Sequence, residues 1–201
     1  MRGTLTHARA PTALLVSLLS ILSATGTAAQ TRPIPPVPED PLAGHGWHLD
    51  LTVHNAFEVA NYNGNHEEML AGFAGFTYGI REGLAVRVAT PLYYVWQRGT
   101  DGYLFGVTGG LRGRLVKKPR WSVFWEFELG VSEADTYVPP RGTRFNYLAI
   151  GGGGVTVRIR TGIHLLGGLR FVHLSNNSLA GRNRNPDIEA LGPAIGLLYG
   201  F

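Results

Sequence analysis

The sequence predicts an all-β fold, an eight-stranded antiparallel transmembrane β-barrel of the outer membrane. Three observations carry that expectation: an export signal opens the chain, long segments then alternate apolar and polar residues with period two, and tight turns take turns with longer polar loops. The signal spans residues 1–29. Arg2 and Arg9 give it a basic start, residues 13–22 an apolar run, and small residues up to Ala29 a cleavage region. Residues 30–45 form a Pro-rich lead-in with five prolines in 33–41, which cannot donate a full hydrogen-bond ladder and reads as extended. The barrel domain then occupies 46–201.

Period two starts at Trp47. Trp47, Leu49, Leu51 and Val53 alternate with His48, Asp50, Thr52 and His54, so one face is apolar and the other ionisable. The same split recurs along Tyr103 to Leu115, Trp121 to Val131, and Phe145 to Ile159. Eight strands follow, over about 46–58, 68–80, 84–96, 103–116, 121–132, 144–160, 163–175 and 188–201. Residues 81–83, 117–120 and 161–162 make tight turns, while 61–67, 97–102, 133–143 and 176–187 make longer polar loops. Short periplasmic turns and long outer loops have this arrangement in outer-membrane barrels.

Burial decides which face lies inside. A closed eight-stranded barrel has an interior just wide enough for side chains. With the Trp, Tyr and Phe-rich faces outward, the interior holds Asp50, Glu126 and Glu128 against Arg87, Arg112, Arg114, Arg158 and Arg170, which can pair. Closure also satisfies every backbone group in lipid. At the C-terminus Ile195, Leu197, Tyr199 and Phe201 share one parity, and a terminal aromatic of this kind looks like a recognition signal for the barrel-assembly machinery.

Composition narrows the chemistry. The absence of cysteine excludes disulfides, Cys nucleophiles, Cys-metal sites and a lipoprotein anchor. Removing Arg2 and Arg9 takes the formal charge from +4 to +2, too little to argue for nucleic acid. His45, His48 and His54 do not suggest a metal site, because His45 and His48 differ in parity and no carboxylate completes a shell. Residues 151–154 are a glycine run within a strand with no helix after it, which is tight packing and not a phosphate cradle.

One segment is left over by these structural readings, from Arg170 to Gly192. The outward parity of Leu165, Leu169 and Phe171 continues to His173 and Ser175, and the outward parity read back from Phe201 reaches Glu189. Polar groups on a lipid-facing wall are costly unless they lie near an interface or have partners. Ser, His and a carboxylate together supply a nucleophile, a base, and an anion that orients the imidazole. Backbone rise separates His173 and Ser175 by roughly 6 to 7 Å, so their side chains must lean together. The plainer alternative is a polar strand end whose His sits at headgroup level.

His173-Leu-Ser175-Asn176, followed by Asn185-Pro-Asp-Ile-Glu189, resembles the hallmark of the outer-membrane lipid A 3-O-deacylase family. The resemblance implies an eight-stranded barrel with a triad on its outer face: Ser175 nucleophile, His173 base, Glu189 orienting acid. It further implies an active-site loop with Asn176, Asn177 and Asn185, where backbone around Asn176 and Asn177 donates to the oxyanion. Two positions depart from the family. Asn177 and Ser178 stand where small residues are usual, and Asp187 stands where glycine is usual.

The function expected is a serine esterase that removes an ester-linked acyl chain from lipid A of lipopolysaccharide in the outer leaflet, without a cofactor. Arg182 and Arg184 are candidates to meet its phosphates. The alternatives are a phospholipid or lysophospholipid esterase on the same triad, and a non-catalytic structural barrel in contact with outer-membrane lipids. Whether the chain is a monomer or a homodimer stays open.

Overall fold

A computed structural model describes residues 40–60 and 66–201. The signal segment and most of the Pro-rich lead-in lie outside the described residues. Eight strands, β1 (Trp47–Glu58), β2 (Glu68–Arg81), β3 (Leu84–Trp96), β4 (Gly102–Lys117), β5 (Trp121–Val138), β6 (Thr143–Arg160), β7 (Ile163–Ser175) and β8 (Ile188–Gly200), form one closed barrel in sequence order. Each pairs antiparallel with the next, and β1 closes on β8 through pairs from His48 with Gly200 to Glu58 with Ala190. Closure removes both sheet edges, so no row of backbone donors faces lipid.

The faces divide as the alternation requires. Val88, Phe105, Leu129 and Ile195 on the outer wall are each more than half exposed, whereas Asp50, Arg87, Arg112, Glu126, Glu128 and Arg170 are buried in the lumen. Such an inside-out distribution is unfavourable in water and suits hydrocarbon. Two girdles of aromatic residues bound the outer wall. Trp47 meets Tyr78 at a tilt with ring centroids 4.7 Å apart near the turn end, and Tyr94 meets Tyr103 at 4.9 Å near the loop end. The protein is an outer-membrane β-barrel.

The lumen is layered. Next to the long loops lies an apolar cluster that includes Met69, Phe73, Tyr93, Leu104, Leu148, Ile150 and Leu174. A second, smaller cluster of Leu42, Ala85, Phe124, Leu166 and Leu198 lies by the tight turns. Between them sits a belt of three arginines and three carboxylates. Asp50 accepts from Arg87 Nε and Arg112 Nη1, each at 2.9 Å, and Glu126 accepts from Arg112 Nη2 at 2.7 Å and Arg170 Nε at 2.5 Å. Arg87 also pairs with Glu128, whose other oxygen accepts from Thr108 at 2.6 Å. The two apolar clusters lower the local dielectric and strengthen these pairs, while the pairing offsets the desolvation.

Two boundaries differ from the sequence expectation. β5 runs on to Val138, beyond the expected 132, and β6 starts at Thr143, so the expected 133–143 loop is largely a hairpin that continues past the barrel rim. Ser132, Glu133, Ala134 and Asp135 have no apolar parity because strands above the bilayer need none; Asn146 Nδ2 to Val138 O (2.8 Å) and Arg144 Nε to Ala134 O (2.7 Å) hold them instead. The described end of the lead-in is also not extended. Asp40 to His45 form turns that seat Leu42 in the turn-end cluster, with Asp40 accepting from Arg114. Arg114 thus serves the barrel mouth and stands apart from the lumen belt. Arg158 lines a cavity of about 490 Å³ at the same mouth, beside Ser122, Thr156 and His164.

Candidate active site

His173 and Ser175 stand two residues apart at the loop end of β7, so period two puts both on the outer wall. Glu189 is the second residue of β8, and the β7–β8 register sets it directly opposite His173. The side chains close the distance that backbone rise leaves. His173 Nε2 lies 3.1 Å from Ser175 Oγ, and His173 Nδ1 lies 3.5 Å from Glu189 Oε1. The imidazole therefore bridges hydroxyl and carboxylate through its two different nitrogens, the order that nucleophile activation needs. The second distance is longer than an ordinary hydrogen bond, a looseness common where no substrate is bound.

Accessibility is graded across the trio. Ser175 is 8% exposed, while the His173 and Glu189 side chains keep about a third of their surface open (34% and 27%). On the other side of β7, Tyr147 stands opposite Ser175 and Ala149 opposite His173. Further down the same face of β6 come Gly151 and Gly153, and a Cβ added at Gly151 would meet no atom within 4 Å. The β6 side of the outer wall is thus raised at Tyr147, opposite Ser175, and lowered at Ala149 and Gly151, opposite His173 and Phe171.

The loop that follows is held by asparagines. Asn176, buried, donates its backbone N–H to Asn185 Oδ1 at 2.9 Å, and its Nδ2 donates to Arg184 O. This narrows the expected oxyanion role: the Asn176 amide is engaged by its own loop, so its backbone is not a donor aimed outward. Asn177 (φ 51°) and Ser178 (φ 60°) are both left-handed, the conformation for which glycine has the lowest cost. Bulk at these two positions is therefore accommodated by a strained turn. Asp187 is outside the left-handed region, so the backbone there does not require the glycine of the family pattern.

Arg182 to Arg184 form a single 3-10 turn. Arg182 is exposed, while Arg184 lies over the Tyr137 ring at 5.4 Å and donates to Gly142 O at 3.2 Å, tying this loop to the β5–β6 hairpin. That contact was hidden in the sequence because Tyr137 falls in a segment read as loop. Asp187 was also overlooked as a side chain, although its parity matches that of Glu189. One ligand atom each from His173, Asp187 and Glu189 lie within 4.8 Å of one another.

No family model and no curated protein matches the sequence. Among solved structures the chain is similar to the outer membrane protein OprG from Pseudomonas aeruginosa, at 11% identity over 80% of this chain and 98% of that one, TM-score 0.48. A de novo designed transmembrane β-barrel matches at 13% identity over 79% and 97%, TM-score 0.41. OmpT of Vibrio cholerae matches at 12% identity over 77% and 51%, TM-score 0.32. Likenesses this distant say nothing about chemistry.

Proposed function

We propose that this barrel is a serine ester hydrolase of the outer leaflet, a lipid A 3-O-deacylase. The observation that carries the reading is the outward-facing sequence of contacts from Ser175 Oγ to His173 Nε2 at 3.1 Å and from His173 Nδ1 to Glu189 Oε1 at 3.5 Å, at the loop end of the barrel. Polar groups on a lipid-facing wall cost free energy without a task or a partner. The resemblance of the His173–Asn176 and Asn185–Glu189 stretches to lipid A 3-O-deacylases supports the choice of substrate.

In this reading Ser175 Oγ adds to an acyl ester carbonyl while His173 Nε2 takes its proton. The ester C–O bond breaks as the imidazolium returns that proton to the departing sugar hydroxyl. Water then adds to the acyl-enzyme, again losing a proton to His173, and the fatty acid leaves as Ser175 is regenerated. Glu189 holds the tautomer with the proton on Nδ1 and stabilises the imidazolium. Oxyanion stabilisation falls to the amide of Asn177, next in the strained turn, since that of Asn176 is taken. The acyl chain lies on the low strip of Ala149, Gly151 and Gly153, and the exposed Arg182 meets a phosphate of the headgroup.

The test is expression in a bacterium of defined lipid A, followed by mass analysis of its lipids. Lipid A lighter by one 3-O-linked acyl chain, absent with Ser175→Ala, is the expected result. Altered phospholipids with unchanged lipid A would move the same triad to another ester, and unchanged lipids throughout would leave a structural barrel.

A further inference from the structure

His173, Asp187 and Glu189 offer an imidazole nitrogen and two carboxylate oxygens on one patch of the outer wall, mutually within 4.8 Å. Tetrahedral zinc with bonds of about 2.0 to 2.1 Å holds its ligands roughly 3.3 Å apart. His173 Nδ1 and Glu189 Oε1 are already 3.5 Å apart, and rotation of one short side chain, Asp187, brings in the third. The three residues are half-buried, so an ion can reach them from the interface. We propose that this trio is a zinc-class cation site, and that the bound ion switches the hydrolase off. The second clause rests on the esterase reading; the first does not.

Ligand chemistry selects the ion. An imidazole nitrogen with carboxylates suits zinc, copper or nickel, whereas magnesium and calcium, abundant where lipid phosphates are bridged, prefer oxygen-only shells. Charge gives a driving force as well, because two carboxylates side by side at a lipid rim repel, and a dication neutralises them. Three protein ligands leave a fourth position for water, the arrangement of open zinc sites.

Inhibition follows whichever imidazole nitrogen binds. With the ion on Nδ1, the ring proton of neutral His173 resides on Nε2, which then donates to Ser175 Oγ and cannot accept its proton. With the ion on Nε2, the 3.1 Å contact to Ser175 is replaced by the metal bond. Either way Glu189 is drawn from orienting the base to holding the ion. Asp187, at a position where the deacylase pattern has glycine, supplies the third ligand and makes the difference.

The experiment uses untagged full-length chain in detergent, freed of metal with EDTA and exchanged into a non-chelating buffer, titrated calorimetrically with zinc chloride. One zinc should bind per chain; Ser175→Ala should bind it equally, and Asp187→Gly and Asp187→Asn should each weaken binding at least about 10-fold. Excess magnesium should not displace it. Ester hydrolysis by the unaltered chain should fall with bound zinc and return with EDTA, while whatever hydrolysis Asp187→Gly shows should resist the same zinc concentration. No binding, equal binding by both Asp187 variants in heat-modifiable barrels, or displacement by magnesium would overturn the site. Zinc binding without hydrolysis at any metal level would uphold the site and defeat the esterase reading instead.

Discussion

The barrel carries two polar clusters that obey opposite rules. In the lumen, three arginines and three carboxylates are buried and balanced in charge, and Asp50, Glu126 and Glu128 each accept from arginine at hydrogen-bond distance. On the outer wall, His173 and Glu189 are partly exposed and Ser175 is nearly covered; the three are unequal in charge and joined by one ordinary and one long contact. All three carboxylates of the buried cluster are engaged by arginine and closed off from lipid, although Arg170 Nη1 and Nη2 are left without a hydrogen-bond partner, so the consequence of this cluster is stability. The open one contributes little to the fold and, in the proposed reading, keeps Ser175, His173 and Glu189 as nucleophile, base and acid near lipid.

The sharpest way to break that contrast is to alter the open cluster. Ser175→Ala and His173→Ala should each lower deacylation of lipid A by about 10³-fold or more while the barrel remains heat-modifiable on a denaturing gel. Undiminished activity in either folded variant would end the catalytic assignment.

The converse change belongs in the lumen. Glu126→Ala deprives Arg112 and Arg170 of a shared acceptor and leaves buried charge uncompensated, for a loss of about 3 to 5 kcal/mol in urea unfolding from lipid. Deacylation per folded molecule should be unchanged. If activity fell more than stability, the two clusters would be coupled through β7, which carries both Arg170 and His173.

Within the open cluster the acid ranks below the other two. Glu189→Ala should reduce turnover by roughly 10²-fold, because base and nucleophile stay in contact but the imidazole loses its orienting partner. Glu189→Gln separates geometry from charge. If it matches Glu189→Ala, charge dominates; if it approaches the unaltered chain, orientation does.

A third polar group falls between the two clusters in kind. Burial at the loop-end mouth, together with Glu58 beside it, pushes the Glu67 carboxyl up from 4.5 to about 8. The folded state therefore favours protonated Glu67. Its contribution is intact below about pH 4.5 and fades as pH rises toward 8, the reverse of a salt-bridged acid. Glu67→Gln should match the unaltered chain near pH 5 and exceed it in urea resistance by about 1 to 2 kcal/mol near pH 8.5. A constant gap between the two pH values would show that the buried acid is not the cause.

Position on a face was legible in the sequence wherever one wall of a strand met lipid. Slipping β7 by one residue would bring His173 inward and expose Arg170 to hydrocarbon, at roughly 2 to 4 kcal/mol near the midplane, so the parity of Leu165, Leu169 and Phe171 fixed the side on which His173 and Ser175 stand. The same reasoning failed for residues 133–138. Their strand continues beyond the bilayer, where the outward face meets water and carries Glu133, Asp135 and Tyr137 in place of an apolar row, while Ala134 and Val138 stay buried in the loop-end cluster.

The sequence by itself determined the eight strands, the apolar outer wall, the charged interior and the shared parity of His173, Ser175 and Glu189, because period two is a property of the extended backbone and acts locally. Register across strands is not local. The pairing of β7 with β8 set Glu189 opposite His173, and the same closure brought Asp187 to that imidazole, Asn185 to the Asn176 amide, and Arg184 to Tyr137 on the β5–β6 hairpin. It also layered the lumen into apolar clusters around a charged belt, since which inward residues share a level depends on how each strand is staggered when the barrel closes.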